Sequence, residues 1–206
     1  MAGGRTLSES ASKELLAAYG VPFAREAGAA DAAAAVRAAE SIGFPVVVKL
    51  CGDAIAHKTE RDLVRLGLGD AAAVRAAADE LLAKARPEDG PVSLLVAEQV
   101  RGKRELIAGL VRDPSFGPCV LIGLGGILAE ALRDVAFAAL PLSREEALRL
   151  PRRLGAAHLL DAFRGEPAVD REALADVLLG LARVALERPD VASVDLNPLI
   201  VSGGRP

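Results

Sequence analysis

With 206 residues, 51% of them hydrophobic and 26% charged, the chain is long enough to bury a sizeable core as one domain or two small lobes. A formal charge of -3 without a Lys- or Arg-rich tract leaves no electrostatic footprint for nucleic acid or an anionic membrane surface, and no apolar run approaches bilayer-spanning length. Cys51 and Cys119 stand far apart, outside any CxxC pair, so two buried free thiols in a reducing cytoplasm are expected and a zinc site is not. The first twelve residues have no apolar stretch of signal-peptide type. With no Trp and 3% aromatic residues, the core must be built from Ala, Val and Leu.

Thr6 and Glu9 have capping-box spacing before a helical face of Leu15, Leu16 and Tyr19, which Gly20 and Pro22 stop. A second helix is predicted from Asp31 to Ile42, ended by Gly43, and Val46–Leu50 reads as a buried strand. Residues 51–62 are polar and aperiodic; Leu63–Leu68 alternates as a strand, and Ala71 to Arg86 is helical up to Pro87. These elements predict a small lobe over roughly residues 22–92 and a larger one over 93–206. The larger lobe opens with the strand Ser93–Val100 and the alternating run Arg104–Arg112, with a turn at Asp113-Pro114. Further strands are predicted at 119–124, 127–132 and 135–140 around a glycine turn. Ser143 and Glu146 open a helix toward Arg153, and Asp170 caps another that runs to about Glu187. Ala192–Leu196 and Leu199–Ser202 close the chain as strands split by Asn197-Pro198. Runs of neighbouring strands beside helices imply an α+β architecture whose two lobes grip a ligand between them.

Five features bear on chemistry. Lys49, near the end of a very apolar strand, either snorkels to water or meets an anion such as a phosphate. His57, in Ala56-His57-Lys58-Thr59-Glu60, is either a surface histidine or a nucleophile toward phosphorus, with lysines such as Lys58 stabilising the transferring charge. The stretch Gly123-Leu124-Gly125-Gly126 is either a set of tight turns or a backbone cradle for an anion, and it lacks the spacing of a dinucleotide fingerprint or a Walker A loop. Asp195 and Asn197 share one face of a strand by alternation, as a magnesium pair or as a capped turn before Pro198. Glu98 and Glu105 bracket an inter-lobe hinge, either as solvated carboxylates or with the hinge facing a flat base and Glu105 accepting from ribose hydroxyls.

Taken in order, these segments resemble one family. They are the strand-end lysine, His-Lys-Thr-Glu at 57–60, Glu-Gln-Val at 98–100, the run from Glu105 through Phe116-Gly117-Pro118, Gly-Leu-Gly-Gly-Ile-Leu-Ala-Glu at 123–130, Arg-Asp-Val-Ala-Phe at 133–137 and Asp-Leu-Asn-Pro-Leu-Ile-Val at 195–201. From about Ser8 to Val201 the chain is similar to the ATP-grasp domain, or beta subunit, of ADP-forming acetyl-CoA and acyl-CoA synthetases, relatives of succinyl-CoA synthetase; the block from Phe116 to Phe137 is the most specific part.

The resemblance implies an ATP-grasp fold of two α/β lobes with a nucleotide cleft between them, and it implies ATP/ADP and Mg2+. It implies a CoA-binding alpha-type partner subunit or domain in a hetero-oligomer. The net reaction would be acid, CoA and ATP giving acyl-CoA, ADP and phosphate. His57 matches a second phosphoryl carrier, Lys49 the lysine on the nucleotide phosphates, Glu105 the acid near the ribose, Glu98 and Val100 the adenine-facing hinge, and Asn197 a magnesium ligand. Two departures stand out. Asp62-Leu63 replaces a glycine pair, putting a carboxylate near the phosphates or closing the loop differently. Relatives continue past the equivalent of Pro206 into a strand bearing a metal-site aspartate, so either the chain is cut or the metal site is incomplete, with Asp195 as a substitute. The alternative is a non-catalytic nucleotide-sensing or scaffold module of an acyltransferase or larger synthetase. A carboxylate–amine ligase is disfavoured by His57.

Overall fold

A computed structural model of the chain describes residues 7, 9–52, 55, 61–102, 104–126, 134–163 and 165–206. The chain divides into two compact units, one spanning Ala24–Val100, the other Met1–Phe23 with Arg101–Pro206. Helix α1 (Glu9–Ala17) therefore belongs to the second unit, where Leu16 enters the core; Thr6, its expected cap, lies outside the described residues.

The first unit contains β1 (Glu26–Ala29), α2 (Ala32–Ile42), β2 (Val46–Gly52), β3 (Val64–Leu68), α3 (Ala71–Ala83) and β4 (Val92–Glu98). Its antiparallel sheet has the order β1-β4-β2-β3. The Asp31 carboxylate caps α2 by accepting the Ala34 N–H at 2.7 Å, and Asp70 does the same for α3 through the Ala73 N–H at 2.8 Å. Ala35 and Ala39 on α2 and Ala78 on α3 are wholly buried, so small side chains bring both helices close to the sheet, where Val46, Val48, Leu50, Leu94 and Val96 meet them. The lobe boundary expected at residue 93 is displaced to Val100. Strand β4 lies in the middle of the first sheet, because Leu94 and Val96 complete that core. Strand β1 was not predicted; its sequence, Glu-Ala-Gly-Ala, carries neither β-branched residues nor a polar alternation.

The second unit adds β5 (Arg104–Asp113), β6 (Gly117–Leu124), β7 (Val135–Ala139), α4 (Arg144–Arg149), α5 (Arg171–Glu187) and β8 (Val194–Val201), with the antiparallel order β7-β6-β5-β8. Leu174, Val177, Leu178 and Leu181 of α5 bury against Leu106, Ala108, Leu110, Val120 and Ile122 of the sheet. The predicted capping box is present: Ser143 Oγ accepts the Glu146 N–H at 3.2 Å, and the Glu146 carboxylate accepts the Ser143 N–H at 2.9 Å. Helix α4 ends sooner than predicted, giving way to a 3₁₀ turn at Leu150–Arg153 that carries Pro151. The two closing strands are one strand, β8, continuing through a cis Asn197-Pro198 bond. Leu106 faces Leu199 and Ala108 faces Leu196, so Asn197 and Pro198 together oppose Ile107 in a bulge. The strand expected at 127–132 lies outside the described residues. Among the described residues no helix is long and apolar enough to cross a membrane.

Candidate functional site

In the first sheet, helices cover the face bearing Val48, Leu50, Leu94 and Val96. Lys49 lies on the opposite face, half-buried between Val64 of β3 and Leu95 of β4. The Val-Val-Val run thus fixes a lysine in a rigid strand without enclosing it. Glu98 belongs to the other face, opposite Val46, and its carboxylate accepts from Arg25 Nε at 3.0 Å. That guanidinium lowers the Glu98 pKa below its ordinary value. The end of β4 is further fixed through its backbone: the N–H groups of Glu98, Gln99 and Val100 donate to Arg25 O, Pro45 O and Glu98 O. The Gln99 side-chain oxygen accepts the Gly67 N–H at 2.6 Å. Glu98 and Val100 are thus held as backbone positions, with the Glu98 side chain turned to Arg25. Arg25 and Gln99 escaped sequence reasoning because both bonds link distant parts of the chain.

His57 and Lys58 lie outside the described residues. After that segment, Arg61 donates to both oxygens of Asp89 at 2.6 and 2.9 Å, and Asp89 also accepts the Arg86 N–H at 2.9 Å. Asp89 is 2% exposed, and the Arg61 guanidinium holds its pKa down at about 2. Asp62 follows with φ +55°, a left-handed conformation that a glycine would adopt freely. Its carboxylate is taken by Arg65 at 2.8 and 2.9 Å and by Lys84 at 2.5 Å. The aspartate thus holds a glycine-like backbone turn, while two cations hold its charge.

In the second sheet, the face away from α5 carries Glu105, Ile107 and Gly109 on β5 and Asp195 and Asn197 on β8. Gly109 faces Asp195, and the bulge places Asn197 beside Ile107. Strand rise separates Glu105 from the Asp195 end by about 13 Å. Both glycines of this face are set by the sheet: a Cβ at Gly109 would meet Val194 O at 2.7 Å, and one at Gly123 would meet Asp134 O and Ile107 Cγ1 at 2.9 Å. The carboxylates of Glu105 and Asp195 and the amide of Asn197 have no hydrogen-bond or ion-pair partner among the described residues. Nor do the described residues contain a group of three or more His, Cys, Asp or Glu that would enclose a metal. A carboxylate and an amide oxygen on one exposed strand face fit a magnesium ion that draws its remaining ligands from phosphate oxygens and water.

The glycine turn after β6 packs against Glu105. Gly125 N–H donates to Glu105 O at 2.7 Å, and Gly126 takes φ +65°. Asp134 closes the other side, its two oxygens accepting the N–H groups of Gly155 and Ala156, both at 2.8 Å. Asp134 was visible in sequence only as part of the Arg-Asp-Val-Ala-Phe segment.

Residues 1–205 match the family model described as an ATP-grasp domain. The beta subunit of the ADP-forming acetate–CoA ligase I of Pyrococcus furiosus is 36% identical over 201 residues, covering 96% of this chain and 87% of that subunit. The chain belongs to the ATP-grasp family of ADP-forming acetate–CoA ligase beta subunits. The α+β ATP-grasp expectation is thereby borne out. Another relative, the ADP-forming acetate–CoA ligase I of Archaeoglobus fulgidus, is 37% identical over 205 residues; the match takes in 97% of this chain but only 29% of that longer protein. Among solved structures, the dinucleotide-forming acetyl-coenzyme A synthetase 1 of Ca. Korarchaeum cryptofilum, in complex with coenzyme A and Mg-AMPPCP, superposes with a TM-score of 0.83. It is 36% identical, covering 97% of this chain and 87% of that one, and its phosphohistidine segment points towards the nucleotide-binding site.

Proposed function

We propose that this chain is the nucleotide-binding subunit of an ADP-forming acyl-CoA synthetase, acting with a CoA-binding alpha-type subunit or domain in the cytoplasm. The 36% identity across nearly the whole length of a named acetate–CoA ligase beta subunit carries this reading. The greater length of the Archaeoglobus relative, of which the match takes in 29%, supports a need for further protein beyond this domain. Lys49, from the helix-free face of the first sheet, and Lys58 bind nucleotide phosphates. Glu98 and Val100 offer backbone groups to the base, Glu105 accepts from the ribose hydroxyls, and Asp195 and Asn197 hold magnesium against the phosphates. When bound, magnesium neutralises phosphate charge during transfer. His57 carries the phosphoryl group: the N–P bond of the phosphoimidazole breaks as a β-phosphate oxygen of ADP forms the new P–O bond, and the reverse holds for ATP.

The engagement of Asp62 by Arg65 and Lys84 supports the catalytic reading over a nucleotide-sensing scaffold, because that carboxylate presents no uncompensated charge to phosphate. The test is reconstitution with a CoA-binding subunit and measurement of acid-dependent ADP release. His57→Ala should abolish turnover and leave ADP binding intact. Wild-type turnover by that variant discards the relay, and absence of ADP binding by the native chain discards the enzyme reading.

A further inference from the structure

Most carboxylates near the second sheet are already engaged. Asp113 accepts two turn N–H groups, Asp134 two loop N–H groups and Asp170 the first N–H groups of α5. Glu105 is different: half-buried on the site face and lying against the glycine turn, its carboxylate has no hydrogen-bond or ion-pair partner among the described residues. A Cβ on Gly126 would stand 3.1 Å from Glu105 Oε2, 3.7 Å from its Cδ and 3.8 Å from its own Cβ, so the glutamate side chain lies along the space that an alanine would fill. Gly125 is closer still, its added Cβ reaching Glu105 C at 2.9 Å, and its N–H fixes the Glu105 carbonyl. The Glu105 backbone is thus clamped by Gly125, and its carboxylate lies beside the space that Gly126 leaves open.

We propose that Gly126 is a positioning residue for Glu105, seating its carboxylate for the vicinal hydroxyls of the ribose and so setting the preference for a ribonucleotide over a dideoxyribonucleotide. The proposal rests on the placement of Glu105 at the ribose. Its physical basis is that a charge-assisted hydrogen bond discriminates only when the acceptor is held at bonding distance and angle. A methyl group 3.1 Å from Oε2 is tighter than ordinary contact and makes the carboxylate yield by a few tenths of an ångström; the Glu105 backbone stays in place through the Gly125 bond and its pairing with Ile200 on β8.

The test is calorimetric, on the full-length chain, with Mg-ADP and Mg-2′,3′-dideoxy-ADP as probes. The readout is the ratio of their dissociation constants, together with the thermal midpoint. Wild type should favour ADP by at least about tenfold, the effect of a hydrogen bond to a charged group. Glu105→Gln should remove most of that preference. Gly126→Ala should reduce it several-fold, and the double variant should lose no more than Glu105→Gln alone, because both act through one group. Gly165→Ala, at φ +82° with open space around it, controls for the strain of alanine at positive φ and should keep the full preference. If Gly126→Ala keeps the wild-type ratio while Glu105→Gln loses it, the positioning role is overturned and the nucleotide site stands. Losses that add in the double variant overturn it as well. If Glu105→Gln itself keeps the ratio, or wild type shows no preference, the ribose assignment falls and the inference falls with it.

Discussion

Arg65 grips both carboxylate oxygens of Asp62, at 2.8 and 2.9 Å, and with Lys84 ties that aspartate to the C-terminal end of α3. Asp62 thereby keeps a left-handed backbone, φ +55°, of the kind glycine adopts freely, because aspartate tolerates that region better than most side chains. Asp62→Gly and Asp62→Asn should retain the thermal midpoint more closely than Asp62→Ala, which has neither the freedom nor a polar side chain. Asp62→Gly should change ADP affinity by no more than about twofold, since its charge is already compensated. Arg65→Met, which frees the carboxylate, should weaken ADP more. A large gain in affinity for Asp62→Gly by titration would show an uncompensated charge facing the phosphates.

Acid should expose the same network. Asp62 and Glu80, both bonded first to Arg65, and Asp89, bonded to Arg61, are each held at about 2. The unfolded chain titrates these groups near 4, at about 3.9 for Asp and about 4.3 for Glu. Between those values the unfolded state binds more protons than the folded one, so stability rises with pH in that window. The contribution is complete above about pH 5 and is lost as the pH falls toward 2. Urea midpoints followed by circular dichroism at pH 7, 4 and 3 should fall more steeply for wild type than for Arg65→Met, although the variant starts lower. Parallel curves would remove this network from the acid response.

Local rules made much of this architecture legible. Asp170 announces its helix because a short acid accepts N–H groups in the first turn, and it does so here, as Asp31 and Asp70 do for α2 and α3. Alternation along a strand assigns Asp195 and Asn197 to one face, and the folded sheet keeps them there despite the bulge. The remainder depends on partners far apart in the chain. Arg25 claims Glu98 from 73 residues away and Arg61 claims Asp89 from 28, and no period or spacing encodes either pair. Nor does a sequence tell that a Gly109 side chain would strike Val194 O, or that β4 completes the first core.

Arg112 on β5 shows how a charged residue can act as an internal cap. Its guanidinium donates to Ala185 O at 2.9 Å, Arg188 O at 3.0 Å and Val191 O at 2.8 Å, satisfying carbonyls where α5 ends and completing its dipole with a cation. Arg112→Met preserves much of the aliphatic stem but leaves these acceptors short of donors. It should cost about 2–3 kcal/mol, a fall of roughly 5–10 °C in the melting temperature of a chain this size. Arg112→Lys should recover only part of that, since an ammonium lacks the planar fork that reaches three carbonyls. ADP affinity below the transition should stay unchanged in both, which separates scaffold from site. A Met variant that melts with wild type would show that water serves these carbonyls as well.

Asp195 and Asn197 make different predictions although they share a face. Each leaves its oxygen exposed and unengaged among the described residues, so removing either breaks no hydrogen bond described there, and stability should change by no more than about 0.5 kcal/mol. The effect should appear only with magnesium. Titrated with ADP in excess magnesium, Asn197→Ala and Asp195→Ala should each bind at least about tenfold more weakly, as expected when a charge-assisted contact is lost. In EDTA their affinities should converge on that of wild type, because the side chains then have no cation through which to act on phosphate. Asp195→Asn separates charge from geometry: it keeps an oxygen toward the metal but removes the negative charge, so its loss in magnesium should be intermediate. If the two alanine variants lose affinity equally with and without magnesium, the pair contacts nucleotide directly and the metal assignment fails.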